Sequence, residues 1–218
     1  MSATADLFEP LDPVAASIAL GPGATLLRGF ATRQARRLLL AVEQLIVAAP
    51  LRHLITPGGF RMSVAMTNCG SLGWVSDRSG YRYTREDPES GRPWPALPPL
   101  FLRLAQQAAA QAGFARFAPD ACLINSYEPG ARLSLHQDKD ELDLNVPIVS
   151  VSLGIAAVFL FGGSRRSDPV RPIALQHGDV VVWGGPARLN YHGVRPLKDS
   201  EHGLLGRRRI NLTFRKAR

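Results

Sequence analysis

Cysteine is scarce in this chain, which contains only Cys69 and Cys122 among its 218 residues. The two cysteines lie far apart in unlike contexts, so the sequence predicts neither a disulfide framework nor a zinc site built from cysteine thiolates. The N-terminal segment carries Asp6 and Glu9 and has no cationic stretch before an apolar run, which argues against a secretory signal. We therefore expect a protein of the reducing cytoplasm.

Uninterrupted hydrophobic runs are also missing. The longest apolar stretch, residues 146–163, is broken by Pro147, two serines and Gly154. This pattern predicts two buried strands around a turn and no membrane-spanning helix. The chain is nonetheless 45% hydrophobic, which suffices for a sizeable core within one domain.

Lysine is scarce as well, because only Lys139, Lys198 and Lys216 contribute to the 26 basic side chains. The formal net charge is +8, which favours a polyanionic partner such as nucleic acid. Arginine suits such a partner because its planar guanidinium binds phosphates and stacks on bases. A genome-wide bias towards Ala, Arg and Gly gives the same composition, so the charge alone leaves both explanations open.

Eight short apolar segments follow one another from Cys122 onward and are separated by glycine-rich turns. Such a series predicts a mainly β sandwich or barrel, for which a jelly roll is one way to hide the sheet edges. The segments are CLINSY, ARLSLH, PIVSVSLG, AVFLFGG, RPIAL, DVVVWGG, LNYHGV and RRINLTFR.

Two amphipathic helices are predicted ahead of these strands, over residues 31–50 and 98–113. Thr32 is the predicted N-cap of the first helix, and Pro50 ends it. Gly113 closes the second helix. We expect both helices to cover one face of the sheet, which gives flanking helices to a mainly β domain.

The remaining N-terminal segments differ from this pattern. Residues 1–23 are rich in Pro, Gly and Ala and are predicted to form a loop-like leader to a single domain over 24–218. Residues 56–95 combine short strand patterns with many turn residues, aromatics and arginines. This composition indicates a lid over the domain.

A pair of metal-ligating residue types interrupts one predicted strand, LSLHQDKDELD, over residues 133–143. His136 and Asp138 are two residues apart, so an extended chain places them on the same face. With His192 in the strand-like segment NYHGV, they offer two imidazoles and one carboxylate, the ligands of the facial triad that binds non-haem Fe(II). Ordinary buried, hydrogen-bonded histidines are the alternative. His177 is predicted to be a turn histidine, not a fourth ligand, and His53 and His202 are expected to be solvated.

The C-terminal segment RRINLTFR alternates between polar and apolar residues. Its apolar face is predicted to pack in the core, and its polar face carries two arginines that can bind carboxylates through bidentate hydrogen bonds. This arrangement suits a dicarboxylate co-substrate beside the metal. The polar face consists of Arg209, Asn211, Thr213 and Arg215, and the apolar face of Ile210, Leu212 and Phe214.

Taken together, these segments resemble the AlkB family of Fe(II)- and 2-oxoglutarate-dependent dioxygenases, which repair alkylated DNA. The resemblance extends from about Thr56 to Arg215. It implies a double-stranded β-helix jelly roll with residues 56–95 as an N-terminal nucleotide-recognition lid. It rests on the motifs TPGG, MSVAMTNCG, LGW, PDACLINSYEPGA, LSLHQDKDE, PIVSVSLG, FGG, HGDVVVWGG, YHG and RINLTFR.

The resemblance also implies residue roles. Fe(II) would be held by His136, Asp138 and His192. The 2-oxoglutarate co-substrate would be held by Asn125, Tyr127, Arg209, Asn211 and Arg215, with Arg215 at its distal carboxylate. The substrate would meet Thr56, Met66, Trp74, Tyr81, Asp140 and Arg166, with Trp74 and Tyr81 in the lid and Asp140 facing the exocyclic amine of the base.

The implied reaction is oxidative demethylation of N-alkylated bases of the 1-methyladenine and 3-methylcytosine type. The implied substrate is single-stranded DNA, with RNA as a second candidate, and the reaction uses Fe(II), 2-oxoglutarate and O2 to release formaldehyde, succinate and CO2. A monomer is the expected state. Two alternatives stay open, namely the same dioxygenase core acting on a protein or small molecule, and a noncatalytic module that binds single strands.

Overall fold

Two facing antiparallel sheets form the body of the protein in a computed structural model that describes residues 16–218. The major sheet has seven strands, in the spatial order β1 (Ser17–Gly21), β2 (Ala24–Leu27), β11 (Val180–Trp183), β8 (Ile148–Gly154), β13 (Arg209–Arg215), β6 (Ala121–Tyr127) and β3 (Ala65–Gly70). The minor sheet has four, in the order β10 (Arg171–Leu175), β9 (Ala157–Phe161), β12 (His192–Val194) and β7 (Leu133–His136). The predicted jelly roll with its eight C-terminal strands is confirmed.

Two helices and a separate hairpin complete the fold. Helix α1 comprises Ala35–Ala48 and helix α2 comprises Pro99–Gln111. The hairpin consists of β4 (Gly73–Asp77) and β5 (Gly80–Thr84), which pair only with each other as a two-stranded sheet within the described residues. None of the described helices is long and apolar enough to cross a membrane.

Polar and apolar residues alternate along β13, and the apolar ones face the two helices that pack on the major sheet. Its apolar residues Ile210, Leu212 and Phe214 are buried in the core between this sheet and the two helices. Phe214 meets Phe101 of α2 edge-to-face, with ring centroids 5.9 Å apart. The other face of β13 therefore points into the space between the two sheets, as the period of two requires.

The space between the sheets is closed at one end by a second apolar core. Trp183 of β11 packs there against Phe159 and Phe161 of β9, with ring centroids 6.0 and 6.4 Å apart. Trp183 and Phe161 are both buried in this core. The same rings lie against His192, whose ring centroid is 4.9 Å from that of Trp183 and 6.0 Å from that of Phe159.

At three places the observed elements differ from the local structure expected from the sequence. The predicted leader, 1–23, contains strand β1, which pairs with β2, while residues 1–15 lie outside the described part of the chain. Thr32 caps no helix, because it lies in a 3₁₀ turn ahead of α1 and its hydroxyl lies 3.5 Å from the carbonyl oxygen of His177. The predicted lid, 56–95, includes β3, which is the edge strand of the major sheet.

Candidate metal and dicarboxylate site

His136 and His192 come together because their strands pair. In the antiparallel register of β7 and β12 they are direct partners, and their ring centroids lie 4.4 Å apart. Gly193 permits this pairing, since a Cβ atom there would lie only 2.7 Å from the carbonyl oxygen of Leu133. The local sequence thus encodes the close approach of two strands that are more than fifty residues apart.

Asp138 reaches the two histidines from a loop and not from a strand. Strand β7 ends at His136, so the predicted strand over residues 133–143 is too long, and Asp138 and Asp140 do not share its pleat. The Asp138 carboxylate nevertheless faces both rings. Its oxygens lie 3.7 Å from Nε2 of His136 and 3.6 Å from Nε2 of His192.

The protonation of the two rings leaves their facing nitrogens free for a metal. Nδ1 of His136 lies 2.8 Å from the carbonyl oxygen of Ser134, and Nδ1 of His192 lies 3.0 Å from that of Asn190. Because a carbonyl oxygen only accepts, Nδ1 donates in both contacts, so Nε2 is the nitrogen of each ring that can bind a metal. The three ligand atoms lie within 4.8 Å of one another, the only such cluster of three among the described residues, and this donor set fits Fe(II).

The charge states of these groups also suit a cation. Burial and the neighbouring His192 lower the pKa of His136 to about 4, so this ring is neutral at physiological pH. Burial by itself would raise the pKa of Asp138, but the guanidinium of Arg215 together with His192 and His136 outweighs it, and that pKa lies well below its ordinary value. The carboxylate is therefore an anion before any metal arrives.

A second partner is implied by Arg209, whose side chain is fully buried beside the metal ligands' sheet. Its Nη2 donates to Oγ of Ser152 at 3.0 Å, and its guanidinium lies over the Tyr127 ring, 4.8 Å from the centroid. Nε and Nη1 of Arg209 have no hydrogen-bond partner among the described residues, and neither does Oδ1 of Asn125. Unpaired buried donors are costly, so a guanidinium with two of them fits a carboxylate that arrives from solution.

Arg215 differs from Arg209 because its hydrogen bonds are already made within the protein. Its Nη2 and Nε donate to Oδ2 of Asp138 at 2.7 and 3.1 Å, and Nε lies 3.6 Å from a carboxylate oxygen of Glu141. The expectation that Arg215 meets the distal carboxylate of 2-oxoglutarate is not favoured by this geometry. Arg215 lies against the metal ligand, whereas Arg209 offers the free donors.

Asn211 shapes this pocket and has no free donor of its own. Its amide nitrogen donates to Oγ of Ser150 at 2.8 Å and to the carbonyl oxygen of Val151 at 2.9 Å. Its amide oxygen accepts from Thr213 at 2.9 Å and from Asn125 at 3.3 Å. The predicted co-substrate residues thus lie together on one face of the sheet. Arg209 has unpaired donors, whereas the donors of Asn211 and Arg215 are bonded to other residues of the protein.

The predicted substrate residues of the hairpin lie next to the metal ligands. Trp74 and Tyr81 stack with ring centroids 5.5 Å apart and an angle of 13° between their planes. Nε1 of Trp74 donates to Oδ2 of Asp140 at 2.8 Å, two residues after the metal ligand Asp138. The hairpin aromatics and the Asp140 carboxylate therefore form one continuous surface at the mouth of the site.

The other predicted substrate residues are more varied. The guanidinium of Arg166 lies 5.1 Å from the Tyr191 ring centroid, and its Nη2 donates to the carbonyl oxygen of Leu135 at 3.0 Å, next to His136. Thr56 is half-buried, and its hydroxyl accepts from the amide of Phe60 within a turn. Met66 is buried in the core between the sheets.

Three residues that sequence reasoning missed connect the hairpin with the metal ligands. The hydroxyl of Tyr83 donates to Oε1 of Glu141 at 2.6 Å, and Nη2 of Arg188 lies 2.9 Å from Oε2 of the same carboxylate. The side chains of Glu141 and Arg188 are only 1% and 3% exposed. Glu141 belongs to the motif LSLHQDKDE, which was the one available signal, whereas nothing near Arg188 in the sequence indicates a buried charge.

The remaining histidines lie outside the site. His177 accepts from the amide of Gly154 at 3.0 Å and stacks on His202, with ring centroids 4.3 Å apart. The prediction of a turn histidine instead of a fourth ligand agrees with this position. His53 and His202 are half-buried and not solvated as expected, because Nδ1 of His53 meets the carbonyl oxygen of Met62 and Nδ1 of His202 accepts from the amide of Leu204.

Comparisons with known proteins agree with this donor set. The profile of the 2OG-Fe(II) oxygenase superfamily matches residues 23–215. The alpha-ketoglutarate-dependent dioxygenase AlkB of Salmonella typhimurium is 60% identical over 198 residues, which cover 91% of this chain and 92% of the relative. The protein of the same name from Escherichia coli is 54% identical over 97% of both chains.

More distant similarities lead to the same family. The DNA N(6)-methyladenine demethylase ALKBH1C of Arabidopsis thaliana is 30% identical over 89% of this chain and 48% of its own length. The solved structure of OsALKBH1 superposes with a TM-score of 0.82 at 29% identity, covering 92% of this chain and 100% of that one. The chain belongs to the 2OG-Fe(II) oxygenase superfamily, among the AlkB dioxygenases, and it is an enzyme that uses Fe(II), 2-oxoglutarate and O2 for oxidative dealkylation.

Proposed function

We propose that this enzyme removes methyl groups from 1-methyladenine and 3-methylcytosine in single-stranded DNA. The observation that carries the proposal is the hydrogen bond from Trp74 to Asp140, which joins an aromatic surface to a carboxylate two residues after the metal ligand Asp138. An extruded base needs a ring to stack on and a polar group for its Watson–Crick edge. A cationic methylated base with an exocyclic amine is complementary to both.

The proposed roles of the residues follow from their contacts. His136, Asp138 and His192 hold Fe(II), which, together with 2-oxoglutarate and O2, supplies the oxidation of the methyl carbon; formaldehyde, succinate and CO2 are released. Arg209 pairs with the distal carboxylate of 2-oxoglutarate, because its two free donors match that group. Arg215 keeps Asp138 anionic and oriented.

The substrate is held by the remaining residues of the site. The base stacks on the hairpin face formed by Trp74 and Tyr81, and it donates its exocyclic amine to the free oxygen of Asp140. Arg166 contacts the rim of the base or a phosphate from its position on Tyr191. Asn125 and Tyr127 line the co-substrate pocket with Asn211, and Thr56 and Met66 complete the substrate side.

The proposal includes the domain organisation and the state of the protein. Residues 17–218 form one dioxygenase domain, and the lid is the hairpin Gly73–Thr84 with the turn around Thr56, without strand β3. The enzyme acts as a monomer in the cytoplasm. Its net charge of +8 supports binding to a polyanionic strand, and RNA is a second substrate of the same kind.

Mass spectrometry of one short oligonucleotide tests the proposal. The oligonucleotide carries a single 1-methyladenine and is incubated with enzyme, Fe(II), 2-oxoglutarate and air, beside an Asp138→Ala control. We expect the loss of one methyl group in the wild-type reaction only, with stoichiometric succinate. Succinate without demethylation would reject the nucleic acid as substrate, while oligonucleotide binding without any succinate would favour a noncatalytic module.

A further inference from the structure

Two opposite residues of the hairpin form hydrogen bonds to the chain segment that follows the proposed metal ligand Asp138. Trp74 of β4 and Tyr83 of β5 are direct partners in the hairpin register, so their side chains lie on one face. Trp74 donates to Asp140 at 2.8 Å and Tyr83 donates to Glu141 at 2.6 Å. The hairpin thus holds two consecutive residues that closely follow Asp138.

Beneath the hairpin, Glu141 is tied to Asp138 by two arginines. Arg188 joins them through Nη2, which lies 2.9 Å from the Glu141 carboxylate, and through Nη1, which donates to the backbone carbonyl of Asp138 at 2.6 Å. Arg215 joins them on the other side, 3.6 Å from Glu141 and 2.7 Å from Oδ2 of Asp138. The hydroxyl of Tyr83 also lies 3.5 Å from Nη1 of Arg215.

The ion pairs among Glu141, Arg188 and Arg215 are costly to separate when the hairpin moves. Glu141, Arg188 and Arg215 are almost wholly buried, and separating one buried charge from its partners leaves an uncompensated charge. A displacement of Tyr83 is therefore transmitted to Glu141 and, through both arginines, to the backbone and carboxylate of Asp138. Packed charge networks of this kind have discrete arrangements, which is the condition for energetic coupling between two sites.

We propose that Tyr83 and Glu141 are positioning residues that couple nucleic-acid binding at the hairpin to metal binding at Asp138. The inference rests on the proposed function, in which the hairpin contacts the substrate. Engagement of Trp74 by a base fixes the hairpin, which fixes Glu141 and the orientation of the Asp138 carboxylate. Metal and substrate then bind cooperatively, and by linkage each tightens the other by the same factor.

Tyr83→Phe is the decisive variant, because it removes only the hydroxyl that donates to Glu141 and keeps the ring. Ser79→Ala is the control on the same hairpin. It also removes one hydroxyl, but that hydroxyl donates to Asp77 and accepts from Arg82, and it has no contact with Glu141 among the described residues. The melting temperature of each variant is measured to establish that both are folded.

The test measures binding constants and does not depend on turnover. Mn(II) serves as a redox-stable probe and is titrated by electron paramagnetic resonance with 2-oxoglutarate present, without and with a single-stranded oligonucleotide that contains one 1-methyladenine. In wild type and in Ser79→Ala we expect the oligonucleotide to lower the Kd of Mn(II) at least about fivefold, and Mn(II) to lower the Kd of the oligonucleotide by the same factor. In Tyr83→Phe both ligands bind, but this factor falls to less than about twofold, and the spectrum of bound Mn(II) no longer responds to the oligonucleotide.

Each contrary result has a distinct meaning. A wild-type protein that binds the oligonucleotide without any change in Mn(II) affinity would overturn the coupling and leave the proposed function intact. Retention of the full factor in Tyr83→Phe, or its equal loss in Ser79→Ala, would overturn the role of the Tyr83 hydroxyl. Absence of oligonucleotide binding to wild type would overturn the proposed function and this inference together.

Discussion

Replacement of Arg209 by methionine should weaken 2-oxoglutarate binding without destabilising the fold. The guanidinium is fully buried, and two of its nitrogens lack a partner among the described residues, while Nη2 bonds Ser152 and the plane lies on Tyr127. Burial also lowers the pKa of Arg209, so the charge is unfavourable until an anion arrives. Methionine fills similar volume and removes both the unpaired donors and the charge.

The magnitudes follow from these contacts. Two charge-assisted hydrogen bonds contribute about 1.5–3 kcal/mol each, so their loss should raise the Kd of 2-oxoglutarate by roughly 10²–10⁴-fold. In the free protein, relief of the two unpaired donors gains about 1–3 kcal/mol each, against a loss of about 2–5 kcal/mol for the Ser152 bond and the Tyr127 stack together. These contributions nearly cancel, so the melting temperature of Arg209→Met should stay within a few degrees of wild type.

Arg215→Met is the matched comparison, because the same change at this position should destabilise the protein. It leaves the buried carboxylates of Asp138 and Glu141 without their shared cation, which costs about 3–5 kcal/mol. For a chain of this length the melting temperature should fall on the order of 10 °C. The two arginines therefore have opposite signatures in stability although they lie on the same strand face.

Calorimetry checks both effects. Melting curves of the ligand-free variants give the stability, and isothermal titration of 2-oxoglutarate in the presence of Mn(II) and absence of O2 gives the affinity. The reasoning is refuted if Arg209→Met binds 2-oxoglutarate within about threefold of wild type, or if its melting temperature falls as far as that of Arg215→Met. Unchanged affinity would mean that the free donors of Arg209 do not face the co-substrate, and a large fall in melting temperature would mean that Arg209 is already paired in the free protein.

Three further predictions concern the metal site and its scaffold. Asp138→Asn should weaken Mn(II) binding at least about 100-fold in a paramagnetic resonance titration, because an amide supplies no charge to the metal; binding within tenfold would exclude Asp138 as a ligand. Gly193→Ala should lower stability by several kcal/mol in urea unfolding, since its Cβ would press on the carbonyl oxygen of Leu133; a loss below about 1 kcal/mol would show that the strands can separate there. Hydrogen bonds from Arg52 hold the pKa of Asp87 at about 2, below its ordinary 3.8, so wild type should lose up to about 2 kcal/mol as pH falls from about 4 to 2. That loss should be absent in Asp87→Asn, and an identical acid profile would contradict the pairing.

The charged residues around Asp138 belong to the site together with the three residues proposed as metal ligands. Arg215 sets the charge and orientation of the carboxylate, and Arg188 holds the backbone at the same residue. The carboxylates of Glu141 and Asp138 together balance the charges of the two arginines in the interior. Residues that support metal ligands in this way commonly affect metal affinity strongly, which is why Tyr83→Phe is assayed by metal binding.

Much of the fold was determined by the sequence locally. The alternation in β13 assigned Ile210, Leu212 and Phe214 to the core because side chains alternate strictly along a strand. The strands after Cys122 and the bounds of α2 followed from equally local patterns of apolar residues, glycine and proline. The nature of the metal ligands was also readable, because residue type alone restricts which atoms can bind Fe(II).

Only the tertiary structure decided how these elements meet. The registers of β7 with β12 and of β13 with β6 bring together residues that are far apart in the chain, and they separate Arg209 with its free donors from Arg215 with its carboxylates. Thr32 was likewise predicted from the local sequence to cap a helix, but its hydroxyl instead contacts the carbonyl oxygen of His177, which is distant in the chain. The physical reason is that a hydrogen bond or ion pair requires the distance between two groups to be correct to within a few tenths of an ångström. When the two groups are joined only through the fold, no local pattern of residues specifies that distance.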